Sequence, residues 1–298
     1  MIRAGRFHAP HRRAGQGYPA LDALASYPRA PALKGGMIVD DATIALAHRL
    51  ADASGAAIRP YFRQRIDVVH KPGRHAFDPV TEADKGGERA IRAILDAERP
   101  DDAILGEEYG EKPGTSGWRW VLDPVDGTRC FITGRHEWGS LIALEKNAVP
   151  VLGILDQPVL GERFIGVNGA ADLHQAGTVT PLRARACADM ADATLCATDP
   201  SAYMTAPQVA AFERVKARAR LTRYHGDCYI FAMLAMGFID IIVEGAFRRW
   251  DVAALMPLVE GAGGIITNWQ GELWGDGDPL LACGDARLHA QAVALLDG

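Results

Sequence analysis

The chain reads as an α+β protein built from layered helices and sheets. Three observations predict this: two helix-period segments near the start, a succession of strand-like runs after them, and strand–helix alternation from about residue 180. Its 298 residues are 48% hydrophobic and 23% charged. That balance suits a globular fold and excludes disordered, collagen-like and coiled-coil chains.

From Asp40, the stretch DDATIALAHRLADASGAAIRPYF sets Ile44, Leu46, Ala47, Leu50, Ala53 and Ile58 on a largely three-and-four spacing. This predicts an amphipathic helix capped by Asp40 or Asp41. RQRIDVVHKP is a β-branched run ended by Pro72-Gly73, and Thr81 to Ala97 forms a second helix. The Gly86-Gly87 pair in that helix costs about 1 kcal/mol per glycine relative to Ala, so its early turns are expected to pack tightly. DAILGEE, WRWVLDPVDG, GSLIALEKN, VPVLGILDQPV and ERFIGVN follow as strands. ADATLCAT then reads as a strand, APQVAAFERVKARAR as a helix, and LTRYHGDC as a lead into the helix CYIFAMLAMG. FIDIIVEG is a strand, WDVAALMPLVEGAG a single helix, and GIITN a strand. The change of pattern divides the chain into an N-terminal α+β lobe over 37–180 and a C-terminal α/β lobe over 181–298.

Residues 1–36 differ from the rest, with six basic side chains against the single acid Asp22. Basic, acid-poor composition is a feature of organellar transit peptides. The Pro- and Gly-rich wording favours a disordered or non-native extension instead, with Met37 as the start and a cytoplasmic location. The net charge of −5 disfavours nucleic acid as a partner. No apolar stretch approaches the 18 residues needed to span a membrane. Five cysteines without a CxxC pair argue against a disulfide framework and a cysteine-ligated zinc site.

Three acidic segments stand at strand ends or helix starts: Gly106-Glu107-Glu108, Asp123-Pro124-Val125-Asp126-Gly127-Thr128, and Trp250-Asp251. Singly, each has a plain structural explanation as a solvated pair, a β-turn or an N-cap. Together they exceed what Arg119 and Arg129 could neutralise. Oxygen ligands alone favour Mg²⁺ or Mn²⁺ over zinc. A helix beginning near Thr128 would offer the N–H groups of Gly127 and Thr128 to an anion. Metals beside an anion cradle point to phosphoryl chemistry.

The sequence resembles the inositol monophosphatase family of magnesium-dependent phosphomonoesterases, over roughly residues 40 to 290. The resemblance rests on D-x-V-T-x-x-D at Asp78 to Asp84, G-E-E at Gly106 to Glu108, D-P-x-D-G-T-x-x-F at Asp123 to Phe131, and W-D-x-A at Trp250 to Ala253. It implies that family's layered αβαβα sandwich and a homodimer. It also implies a metal set: Glu107, Asp123 and the Val125 carbonyl on one ion, Asp123, Asp126 and Asp251 on a second, and a weaker third ion near Glu107. Asp84 would orient the Thr128 hydroxyl, and that pair would position and help deprotonate the attacking water. Two ions roughly 4 Å apart suit an in-line displacement. Cys130 reads as a packed thiol and not as a nucleophile.

By the same resemblance, Gly226, Asp227, Cys228 and Glu244 would contact the alcohol portion of a small phosphorylated substrate. Two carboxylates there suit a cationic alcohol, whereas a plain reading of Asp227 is the N-cap of CYIFAMLAMG. The wording of Trp138 to Leu144, Gly153 to Val159, Gly161 to Phe164 and Arg223 to Phe231 is most similar to the histidinol-phosphate phosphatase branch. His225 stands where that branch is expected to carry glycine. L-histidinol phosphate is therefore the expected substrate, with inositol 1-phosphate next. A non-catalytic metal- and phosphate-binding regulator is the reading from another class, and the presence of both Asp84 and Thr128 argues against it. A dinucleotide site at Gly261 to Gly264 is disfavoured, because that cluster ends a helix instead of opening one.

Overall fold

The computed structural model describes residues 38–70 and 79–297. The extension expected over residues 1–36, together with Met37 and Asp78, lies outside the described residues. Helix α1 (Asp41–Ile58) starts where the Asp40 carboxylate accepts the Thr43 N–H at 2.7 Å. Within the described part of the run predicted as one strand, β1 (Val69–His70) forms and pairs with β2 (Pro79–Val80), while Lys71 and Pro72 lie outside the described residues. Helix α2 (Glu82–Glu98) opens on a capping box made by Thr81 and Asp84.

The larger sheet contains β3 (Ala103–Gly106), β4 (Gly110–Lys112) and β5 (Trp118–Asp126). After the short helix α3 (Thr128–Ile132) it continues with β6 (Gly139–Lys146), β7 (Val149–Gln157), β8 (Glu162–Val167), β9 (Ala170–Gln175) and β10 (Thr178–Pro181). Its strand order is β10-β9-β8-β7-β6-β5-β3-β4, antiparallel except where β3 runs beside β5. The short, polar β4, β9 and β10 carry little alternation and escape a sequence reading.

The second sheet is assembled from β11 (Thr194–Ala197), β12 (Leu221–Tyr224), β13 (Ile241–Ala246), β14 (Ile265–Asn268) and β15 (Pro279–Cys283), ordered β12-β11-β13-β15-β14. Its helices are α4 (Pro200–Tyr203), α5 (Ala206–Lys216), α6 (Tyr229–Ala235), α7 (Arg249–Val252), α8 (Leu255–Gly261) and α9 (Ala286–Asp297). The last strand and helix lie beyond the final element read from sequence.

Alternation along the strands decides the layers. Trp120, Leu122, Ile142 and Leu144 pack with α1 and α2, whereas Val121, Leu141 and Ala143 pack with α6 and α8 between the sheets. In the second sheet Ile242 faces that middle layer, while Ile241 and Val243 face α5 and α9. The result is the αβαβα sandwich, each buried Leu, Ile or Phe contributing about 1.5–3 kcal/mol.

Two local outcomes shape the site. The segment expected as one helix from Trp250 is two, α7 and α8, because Pro257 has no N–H to give the Ala253 carbonyl. A strand packs against the joint: a Cβ on Gly153 of β7 would lie 1.9 Å from the Ala254 oxygen. The glycines after α8 terminate it, with Gly263 at φ 88° and the Gly264 N–H on the Val259 carbonyl. Among the described residues no helix is long and apolar enough to cross a membrane.

Candidate active site

In a regular strand, residues three apart point to opposite faces. The pairing of β5 with β6 shifts register between Asp123 and Asp126, and Pro124 in the interval has no N–H to give the ladder. This bulge turns both carboxylates to one place. Asp251, in the first turn of α7, completes a group in which one carboxylate oxygen of each residue lies within 4.8 Å of the other two. The Arg248 N–H donates to Asp251 Oδ2 at 2.7 Å and fixes that side chain. Glu107 follows β3, its N–H donating to the Leu122 carbonyl at 3.1 Å, and its carboxylate stands beside Asp123. All four acids that the sequence singles out are therefore brought together.

Burial and then repulsion from Glu107, Asp126 and Asp251 push the Asp123 carboxyl well above its ordinary value. Burial and Asp227 lift Asp126 to about 7. Arg119, a candidate neutraliser from sequence, pairs instead with Glu145. A cluster of oxygen donors held against its own repulsion fits a hard divalent cation.

Asp84 sits 1% exposed at the start of α2, where its Oδ2 accepts the Thr81 N–H and hydroxyl. Its Oδ1 lies 3.3 Å from the Thr128 hydroxyl, which is also 3.0 Å from the Val125 carbonyl oxygen. Burial raises Asp84 to about 6. Gly127 precedes Thr128 at φ 87°, with no side chain capping α3, and a Cβ there would come within 2.9 Å of the Glu137 oxygen. Gly87 confirms the tight packing expected of α2: its Cβ would meet Pro124 at 2.8 Å. Gly86 has no such neighbour.

Asp227 is not the N-cap of α6. Its Oδ2 accepts from the Cys130 thiol at 3.1 Å, and Asp126 Oδ2 accepts the Cys228 N–H at 2.7 Å. Cys228 itself is buried in the middle layer, and burial pushes its thiol and that of Cys130 far up. Glu244 is 1% exposed, with Oε1 accepting the Thr198 N–H at 2.6 Å. Its Oε2 is buried with no hydrogen-bond partner among the described residues, and burial lifts the carboxyl to about 8. The turn from β12 into α6 is left-handed, with His225 at φ 70°, Gly226 at 127° and Asp227 at 42°. That conformation gives the glycine expected at position 225 its physical reason.

One positioning residue was missed from sequence. Glu88 is fully buried in α2, one helical turn after Asp84, and accepts the N–H groups of Glu108 at 2.8 Å and Tyr109 at 3.3 Å. It holds the loop that carries Glu107, and it explains Gly106, whose Cβ would lie 1.9 Å from Glu88 Oε1. An acid four residues after Asp84 on the same helical face was the available signal. Glu88→Ala is expected to raise the Mg²⁺ concentration for half-maximal phosphatase activity by roughly 10–100-fold. A metal titration of activity checks this.

A family model described as the inositol monophosphatase family matches residues 40–297. The chain belongs to that family. It is accordingly a phosphoric monoester hydrolase. Similar relatives include the bifunctional phosphatase IMPL2 of Arabidopsis thaliana, 39% identical over 86% of this chain and 75% of that one. A histidinol-phosphatase of Chlorobaculum parvum is 34% identical over 85% of this chain and 96% of its own. The solved structure of an inositol monophosphatase from Zymomonas mobilis covers 87% of this chain and 98% of that one, at 39% identity and a TM-score of 0.76.

Proposed function

We propose that this enzyme hydrolyses L-histidinol phosphate to L-histidinol and phosphate in a Mg²⁺-dependent reaction, by in-line attack of water. The observation that carries the choice of ester is a pair of carboxylates beside the acidic cluster, half-buried Asp227 and buried Glu244, with Glu244 Oε2 unpartnered among the described residues. A leaving alcohol bearing an ammonium and an imidazole offers both acids an opposite charge. The neutral ring of inositol 1-phosphate, the second reading, leaves Asp227 to Arg129 and His225 and brings no charge to Glu244. The histidinol-phosphatase among the relatives supports the same choice.

Glu107, Asp123 and the Val125 carbonyl would hold one ion, and Asp123, Asp126 and Asp251 a second. A third would sit nearer Glu107, and Mn²⁺ can replace Mg²⁺. When bound, such ions neutralise phosphoryl charge and acidify water. The residues of the chain do the rest. The N–H groups of Gly127 and Thr128 receive phosphoryl oxygens. Thr128 Oγ1 orients the attacking water, and Asp84, raised to about 6 by burial, accepts the proton passed through that hydroxyl. The Gly226–Cys228 turn and Glu244 face the alcohol. The working form is proposed as a cytoplasmic homodimer, on the family resemblance.

The test is a comparison of kcat/KM for L-histidinol phosphate and inositol 1-phosphate with saturating Mg²⁺. At least about a tenfold preference for the former is expected, equivalent to about 1.4 kcal/mol. A preference of that size for the latter overturns the choice of ester.

A further inference from the structure

A cavity of about 380 Å³ opens between α1, the β7–β8 connection and the turn joining β9 to β10. That volume falls within the roughly 300–1,000 Å³ of small-molecule sites. None of the residues assigned above to metal, phosphate or alcohol lines it. Six ionisable side chains do: His48, Asp52 and Arg59 from α1 and the turn after it, Asp156 and Arg163 from β7 and β8, and His174 from β9.

Arg163 is fully engaged. Its Nε donates to Asp156 Oδ1 at 2.7 Å, its Nη2 to Asp52 Oδ1 at 2.7 Å, and its Nη1 to His48 Nδ1 at 3.2 Å. A guanidinium only donates, so His48 Nδ1 is the acceptor and the imidazole proton sits on Nε2. The His174 ring lies against that of His48, 5.0 Å between centroids, and lines the same cavity.

Two groups of opposite sign are left over. Among the described residues the Arg59 guanidinium has no hydrogen-bond or ion-pair partner, and neither has Asp156 Oδ2, on a residue only 4% exposed. Burial raises the Asp156 carboxyl in spite of the Arg163 charge bonded to it and the Arg59 charge nearby. A Cβ on Gly55 would lie 3.4 Å from Asp156 Oδ2 and 3.5 Å from Arg59 Nη1. Both groups therefore flank Gly55, which is glycine because a Cβ would meet Pro158 Cβ at 2.8 Å. A simple anion at Arg59 would meet Asp156 as a like charge, and a simple amine at Asp156 would meet Arg59. A molecule carrying both charges satisfies both.

We propose that this cavity is a second binding site, separate from the catalytic cleft, for a free α-amino acid, with its carboxylate on Arg59 and its ammonium on Asp156. His48 Nε2–H and the His174 ring then face its side chain.

The experiment is thermal unfolding of the full chain with each proteinogenic α-amino acid added singly at millimolar concentration. Acetate and ethylamine serve as single-charge controls. At least one amino acid is expected to raise Tm by about 3 °C, and neither control should do so. The shift should persist in Asp123→Asn and in the presence of Mg²⁺ with inorganic phosphate, and disappear in Arg59→Ala and Asp156→Asn. Arg59 is exposed, so its variant is expected to fold. No shift with any amino acid overturns the proposal. So does an equal shift with acetate, one that survives Arg59→Ala, or one that vanishes in Asp123→Asn, which would place the ligand in the catalytic cleft.

Discussion

Asp123→Asn lowers kcat/KM by roughly 10³-fold or more, about 4 kcal/mol of transition-state stabilisation. The amide keeps the volume and can still accept the Val125 N–H, bonded at 3.1 Å in the parent. What it removes is the charge shared between two proposed ions. The same change relieves the repulsion that Glu107, Asp126 and Asp251 exert on a fully buried carboxyl. The metal-free variant is therefore expected to melt no lower than the parent. Near-normal turnover by purified Asp123→Asn would refute the proposed metal site. The linked pH dependence has a definite sign. A carboxyl raised in the folded state keeps a proton that the unfolded chain has released, so stability falls as pH rises. The metal-free protein is expected to lose Tm between about pH 4, the ordinary aspartate range, and about 7, where Asp126 titrates. Adding Mg²⁺ should flatten that slope. Melting curves across the pH range, with and without the ion, decide it.

Asp84→Asn is expected to reduce kcat by roughly 10²–10⁴-fold, the usual contribution of a positioned proton acceptor. Asparagine retains an oxygen for the Thr81 N–H and hydroxyl, so the cap of α2 survives and Tm should move little. Its NH₂ would face Thr128 Oγ1 as a donor, and the proton would have nowhere to go. The Mg²⁺ midpoint should stay where it is. If saturating Mg²⁺ restores kcat, Asp84 acts on metal affinity and the proposed Asp84–Thr128 relay is wrong.

Much of the site was legible because its chemistry is locally encoded. The run WRWVL leads β5 into its buried stretch, and DPVDG supplies two acids, a proline and a glycine where a strand must stop pairing and turn. The capping box of α2 could equally be read from Thr81 and Asp84, and the Asp84–Thr128 pair that the family resemblance implies lies 3.3 Å apart in the structure. Other features depend on residues distant in sequence and left no local trace. Glu88 acquires its role only where β3 lays Gly106 against it. Asp227 looked like an N-cap, yet the Cys228 N–H is taken by Asp126 from the other sheet's strand β5. The break between α7 and α8 could have been suspected from Pro257, but its exact seating against Gly153 required the packed middle layer.

By itself, then, the sequence determined which side chains are available, which lie on strand ends or helix starts, and the family to which their order points. Only the tertiary structure decided that Glu107, Asp123, Asp126 and Asp251 meet, and that Arg59 and Asp156 Oδ2 face a common cavity, neither hydrogen-bonded among the described residues. Spacing and turn chemistry act within a few residues, where backbone geometry dictates the outcome. Convergence across the chain is set by which apolar faces bury against one another, and that is a property of the whole packed molecule.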